Sequence, residues 1–206
     1  MKKQLLAVVL AAMSCHVALA QDTPITAPTA SITILTAQYS ATGGSRSCTT
    51  FTAQSVMNGI QQTLNIGGQG SGAGAGKITF LPFTIVKAVD TCSANLFLHA
   101  ATGSPFQELI AVVESRGEGN RPTGQTYMIR LGLAAVSTLD DSASNGTTLL
   151  EKVSFQYGDL TIAEIDAVTG SLTSCSGWDR VRNTAQSDYC GELQTVALNR
   201  SRGLTR

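Results

Sequence analysis

GGQGSGAGAGKITFLPFTIVKAVDTCSANLFLHAATG (Gly67–Gly103) is the stretch on which the reading of this chain turns. It changes character three times. Gly67–Gly76 holds six glycines in ten residues. Glycine loses the most backbone freedom on ordering, so this run is expected to be a long flexible loop. After Lys77, the residues Ile78, Phe80, Phe83, Ile85 and Val86 make a β segment, and Pro82 confines it to an edge or a bulge. Asp90-Thr91-Cys92-Ser93 then offers N-cap candidates. Leu96, Phe97 and Ala100 put apolar groups on one helical face, and Gly103 followed by Pro105 stops the helix.

The flanking sequence reads as further strands. Ser31–Ser40 is rich in β-branched residues, and Cys48–Ile66 reads mostly as strand. Leu109–Val113 follows as a strand. Tyr127, Ile129, Leu131 and Leu133 then alternate with other residues, as do Leu149, Val153, Phe155 and Tyr157. Leu160–Ile165 returns after a tight break at Gly158-Asp159. Polar loops are expected at Arg116–Gly124 and at Asp140–Thr147. Beyond Asp166 the chain reads as polar and irregular, with a last strand at Leu193–Leu198. The expected fold is mainly β, with one short helix. Short links favour antiparallel pairing, and a closed or nearly closed barrel would remove exposed strand edges.

The N-terminus predicts export. Lys2 and Lys3 precede the apolar run Leu5–Met13, which is too short to span a bilayer, and Ala18-Leu19-Ala20 offers a cleavage site. Residues 1–20 are therefore expected to be a signal peptide and 21–30, rich in Pro, Thr and Ala, a disordered lead-in. A lipoprotein attached through Cys15 is the less favoured alternative. The expected location is periplasmic or secreted, with no stable membrane insertion.

Of the 14 basic residues, Lys2 and Lys3 leave with the signal; the 12 that remain face 14 acidic ones. That slightly negative chain has no basic patch to neutralise phosphates, so nucleic-acid binding is not expected. Cys48, Cys92, Cys175 and Cys190 stay in the mature chain, an even number suited to an oxidising compartment. They allow three pairings, of which Cys175–Cys190 closes the shortest loop and leaves Cys48–Cys92.

No catalytic, metal or cofactor site is expected. The glycine run fails as a phosphate loop, because Ser71 stands where the first glycine is needed and Ile78 follows Lys77. A strand follows the run, so the dinucleotide fingerprint fails too. His99 is the only histidine after the signal, and it lies in an apolar segment with no G-x-S-x-G elbow in the chain. A metal site would want C-x-x-C spacing, which is absent.

The order of these segments resembles the haemolysin-coregulated protein (Hcp) family, the tube subunits of type VI secretion. Gly74–Lys77 leads into a strand in which Phe83, Thr84, Lys87 and Asp90 fit the family's F-T-hydrophobic-x-K-x-x-D pattern. Leu96, Ala100 and Gly103 fit the helix that follows. Val153–Gly158 looks like its V-S-L-N-aromatic-G strand, including Tyr157 and Gly158. Trp178, Asp179 and Asn183, after Gly177, look like its G-W-D-x-x-x-N element. The resemblance covers about Ser31 to Asn183, so 31–183 is expected to be the Hcp-like barrel domain and 184–206 a C-terminal tail.

The resemblance implies a non-enzymatic structural protein, a compact β-barrel with one short α-helix on its side. Copies would assemble into a homo-hexameric ring, with possible stacking and with secreted effectors as possible cargo. It makes Gly68, Gly70, Gly72, Gly74, Gly76 and Lys77 candidates for a ring-contact loop. The export signal and the four cysteines depart from the family's pattern. They keep a second reading in play, that of an exported monomeric β-barrel binding module with a recognition face near Trp178 and Tyr157.

Overall fold

Alternation along the strands builds this architecture. Phe83, Ile85 and Lys87 point inward while Thr84, Val86 and Ala88 are half-buried, the two-residue period of a strand with one covered face. The structure, a computed structural model, describes residues 29–38, 48–63, 77–116, 122–143 and 148–202. Among these residues the first strands are β1 (Thr29–Gln38), β2 (Thr50–Ala53), β3 (Ser55–Met57), β4 (Ile60–Gln62), β5 (Ile78–Phe80) and β6 (Phe83–Ala88). Helix α1 (Ser93–Thr102) follows, then β7 (Phe106–Arg116), β8 (Pro122–Ala143), β9 (Leu149–Gln156) and β10 (Asp159–Asp166). The chain continues through β11 (Leu172–Asp179) and β12 (Thr184–Gln186) to helix α2 (Cys190–Ser201). Pro82 acts differently from expectation: with Leu81 it breaks the segment into β5 and β6, and β6 is paired on both sides and is not an edge.

All ladders are antiparallel. The main path runs β12-β11-β10-β8-β7-β1-β2, and the far half of β8 pairs with β9, β9 with β6, and β6 with β3. One 22-residue strand thus serves both halves of the fold. It turns at Leu133, whose φ of 52° is unusual for a non-glycine residue. Before the turn Leu131 faces Leu109 and Leu160; after it Val136 faces Phe155.

The sheet is antiparallel as expected, but it does not close into a barrel. β2 pairs with β1, β3 pairs with β6, and Gln54 interrupts the ladder between them, sending its N–H to Val86 O at 2.7 Å. On the other side β10, β11 and β12 run on past the wrap, leaving β12 at the end of the described path. A short edge strand of three residues limits the exposed ladder that closure would otherwise remove.

Two cores result. The interior of the wrap holds Phe83, Phe106, Leu109, Leu131, Val153 and Phe155, with Leu96 of α1 inserted among them. The opposite face of the sheet carries Ile110, Val112, Met128, Ala163 and Ile165 beneath Leu193, Val196 and Ala197 of α2. Among the described residues the fold has two helices where one was expected, and Leu193–Leu198 is helical, not a strand. The segment contains β-branched residues, yet Leu193, Val196 and Ala197 fall at helical spacing on one face. The stretch after Asp166 is not irregular either, since β11 pairs along β10 from Asp159↔Asp179 to Ile165↔Leu172. Asp140–Ala143 extends β8 and pairs with Leu149–Lys152, so the loop expected there is shorter.

Both disulfides follow the shortest-loop pairing. Cys48–Cys92 ties the approach to β2 to the start of α1, and Cys175–Cys190 ties β11 to the start of α2. A bridge across 15 residues is worth about 3 kcal/mol in the chain-entropy picture.

Candidate functional site

The arm formed by β4 and β5 stands apart from the main sheet. Among the described residues the two strands pair only with each other, Ile60 with Phe80 and Gln62 with Ile78. At the outer end Thr63 N–H donates to Lys77 O, and Lys77 N–H donates to Thr63 Oγ1 at 3.1 Å. All of β4 and Lys77 are exposed. The glycine run that joins these ends, with Gly68, Gly70, Gly72, Gly74 and Gly76, lies outside the described residues. The arm brings its two ends together and holds them away from the core.

The base of the arm is built by residues from distant parts of the chain. The Phe80 ring meets the Tyr157 ring edge-on, with centroids 6.5 Å apart. Tyr157 donates its hydroxyl to Leu81 O at 3.2 Å. The Arg180 guanidinium lies 4.7 Å from the Tyr157 ring and 5.3 Å from that of Phe80, and it donates to Tyr157 O at 2.6 Å. The Arg180 N–H donates to Gly158 O. Burial pushes the Tyr157 phenol above its usual value, and the Arg180 charge pulls the other way.

The G-W-D-x-x-x-N element explains itself in the same place. Gly177 has no room for a side chain, because a Cβ would meet Thr161 Oγ1 at 2.8 Å and Gln186 O at 2.9 Å. Trp178 pairs in register with Leu160 and Ala185, and its buried Nε1 has no hydrogen-bond partner among the described residues. The Asp179 carboxylate accepts from the N–H groups of Val181 and Arg182, at 2.9 and 2.8 Å. Asn183 then turns the chain into β12 with φ 55°, a conformation asparagine tolerates. Tyr157 reaches the arm directly, and Arg180 in the 177–183 segment ties it and Gly158 to that segment. Tyr157 is buried beneath Arg180, and Trp178 and Phe80 are half-covered.

Phe83, Asp90, Leu96 and Gly103 form a second group around α1. Phe83 and Leu96 are fully buried. Asp90 accepts from Cys92 N–H at 2.7 Å and pairs with Lys87 at 2.9 Å. Lys87, wholly buried, also meets Glu151 at 2.5 Å, and Glu151 accepts from Ser93 Oγ at 2.8 Å. Gly103 closes the helix with φ 69°, its N–H reaching His99 O. These family positions are architectural: they cap, fill and turn.

His99 stacks on Phe106 with centroids 4.0 Å apart, and its Nδ1 lies 2.7 Å from Ser104 O. It has no nucleophile beside it in these contacts. Among the described residues no group of three or more His, Cys, Asp or Glu could hold a metal ion, and no helix is long and apolar enough to cross a membrane. Sequence reasoning did not single out Arg180 or Glu151. The first stands directly after the recognised Trp178-Asp179 pair. The second lies opposite Lys87 in the β6–β9 ladder.

Comparison with known proteins agrees with this geometry. The family described as "Type VI secretion system effector, Hcp" matches residues 45–163. A solved structure described as a type six secretion system protein superposes with a TM-score of 0.63 at 17% identity, covering 77% of this chain and all of its own. Hcp1 from Salmonella typhimurium gives 0.54 at 18% identity, over 76% of this chain and 99% of Hcp1. Another Hcp protein gives 0.50 at 16% identity, over 77% and 98%. No curated protein matches the sequence.

Proposed function

The chain belongs to the Hcp family of type VI secretion, and on that premise we propose that it is a structural subunit whose copies form a hexameric ring. The β4–β5 arm carries this reading. Among the described residues its two strands pair only with each other, and in sequence the glycine run Gly67–Gly76 joins their ends. A head-to-tail contact through this arm closes into a ring when its rotation allows and extends when rings stack. The proposed role is mechanical, with no turnover, and effector cargo would occupy the ring. The proposed route is export by the N-terminal signal, with the two disulfides formed afterwards.

Light scattering behind a sizing column tests the assembly. The oxidised protein from Gln21 onward should elute at six times its subunit mass, and shortening Gly67–Gly76 to two residues should weaken association. A monomer at high concentration, unchanged by the shortening, would overturn the proposal.

The exported monomeric binding module gains little from the fold. Its recognition face would need Tyr157 and Trp178 open to ligand, whereas Tyr157 is buried and Trp178 is half-covered within the sheet.

A further inference from the structure

The two disulfides differ in their surroundings. Cys48 and Cys92 are 6% and 7% exposed and belong to the interior core. Cys175 and Cys190 are both half-buried, at the margin of the outer core. Thiol–disulfide exchange needs a path for the attacking sulfur, so the outer bridge is the one open to attack.

What the outer bridge holds is α2, which lies beyond the family match ending at residue 163. The helix has 12 residues, a length at which an isolated helix is marginal in water. Only Leu193, Val196 and Ala197 of its side chains are buried. Its seat is incompletely filled: a groove of about 520 Å³ runs between its C-terminal half and the strand floor of Ile110 and Val112. Other contacts include half-buried Leu198 against Gly170 and Glu192 4.0 Å from Arg130. Tyr189 stacks on Arg130 at 3.3 Å, and Arg200 meets Glu114 at 3.2 Å from a partly exposed position. Glu114 is buried but also pairs with Arg116 at 2.8 Å, so it keeps a partner when α2 leaves.

We propose that Cys175–Cys190 is a redox-sensitive strap: oxidised, it keeps α2 over the outer face of the sheet; reduced, it releases the helix while the interior core stays folded. A dithiol of the thioredoxin or dithiothreitol class supplies the chemistry. Its thiolate attacks one sulfur of the bridge, forms a mixed disulfide and expels the other cysteine as a thiolate. Its second thiol then displaces the first cysteine. The bridge takes up two electrons and two protons to give two thiols, and the reductant leaves as its own disulfide. Released, α2 uncovers Ile110, Val112, Met128, Ala163 and Ile165. The strap works in a monomer as in a ring, so it does not depend on the proposed assembly.

The test treats the full oxidised protein with dilute dithiothreitol under native conditions, with alkylation mapping and hydrogen exchange on the same samples. Cys175 and Cys190 should label well before Cys48 and Cys92. Peptides over 190–201 should then exchange on the order of tenfold faster, as expected of local release, while those of β7 and β8 keep their protection. The paired variant Cys175→Ser/Cys190→Ser should show the same fast exchange without reductant. If that variant fails to fold, the wild-type reduction decides alone. Equal labelling of all four cysteines, or α2 protection that survives reduction, would overturn the proposal.

Discussion

Lys87 and Glu151 face each other across the β6–β9 ladder, and their charges meet 2.5 Å apart with both side chains almost wholly excluded from water. Asp90 and Ser93 complete the cluster at the start of α1. Removing one partner strands the other in a low-dielectric interior. Lys87→Ala is therefore expected to destabilise the fold by about 3–5 kcal/mol. Replacing both, as Lys87→Met with Glu151→Leu, should recover most of the loss. Urea unfolding of the three proteins checks this, and a double variant as unstable as the single one would refute it.

Tyr157 predicts an alkaline weakness. Its folded phenol holds its proton more tightly than the unfolded one, because burial disfavours the anion more than Arg180 helps it. The stabilisation is complete below the unfolded value near 10 and is lost as pH rises through the folded one. Stability should fall above about pH 10, and Tyr157→Phe should flatten that fall. Thermal melts from pH 8 to 11 would decide; identical slopes in both proteins would rule out this origin.

Gly177 is held by close approach. Gly177→Ala would drive a methyl group against Thr161 Oγ1 and the Gln186 backbone oxygen, and overpacking of this kind costs about 1–3 kcal/mol. A drop in melting temperature is expected, with β12 and the adjoining turn losing hydrogen-exchange protection first.

Leu133 offers a change in the other direction. Its φ of 52° is awkward for a branched residue, and nearly half of its surface is exposed. Leu133→Gly should relieve the backbone at little loss of packing, raising stability by about 1 kcal/mol. A lower denaturation midpoint in the variant would show that the side chain matters more than the turn.

The parts of the fold that were legible are those whose local pattern and tertiary role coincide. The α1 helix lies within one residue of its expected place because Gly103 and Pro105 end it whatever surrounds it. β9 and β10 follow the alternation of Val153, Phe155 and Tyr157 and the Leu160–Ile165 run. α2 was hidden because LQTVAL suits a strand in isolation; the disulfide at Cys190 and the apolar face beneath it select the helix. The open sheet in place of a barrel follows from how distant strands pair, which no local pattern announces. The same holds at the candidate site. The glycine run announced an unusual connection, and Tyr157 and Trp178 were recognisable as motif positions. Arg180, which sits over both Tyr157 and Phe80, acts through neighbours distant in sequence.

β8 has a consequence for how the molecule comes to exist. Its first half needs β7 and β10, and its second half needs β9. Neither layer can finish forming until the strand has bent at Leu133. β1 waits too, since its long partner β7 begins at Phe106. Such distant pairings place the chain among slow folders, with rates of milliseconds to seconds rather than microseconds. Nearly all of the chain through β10 must be free to pair before this protein can hold its shape.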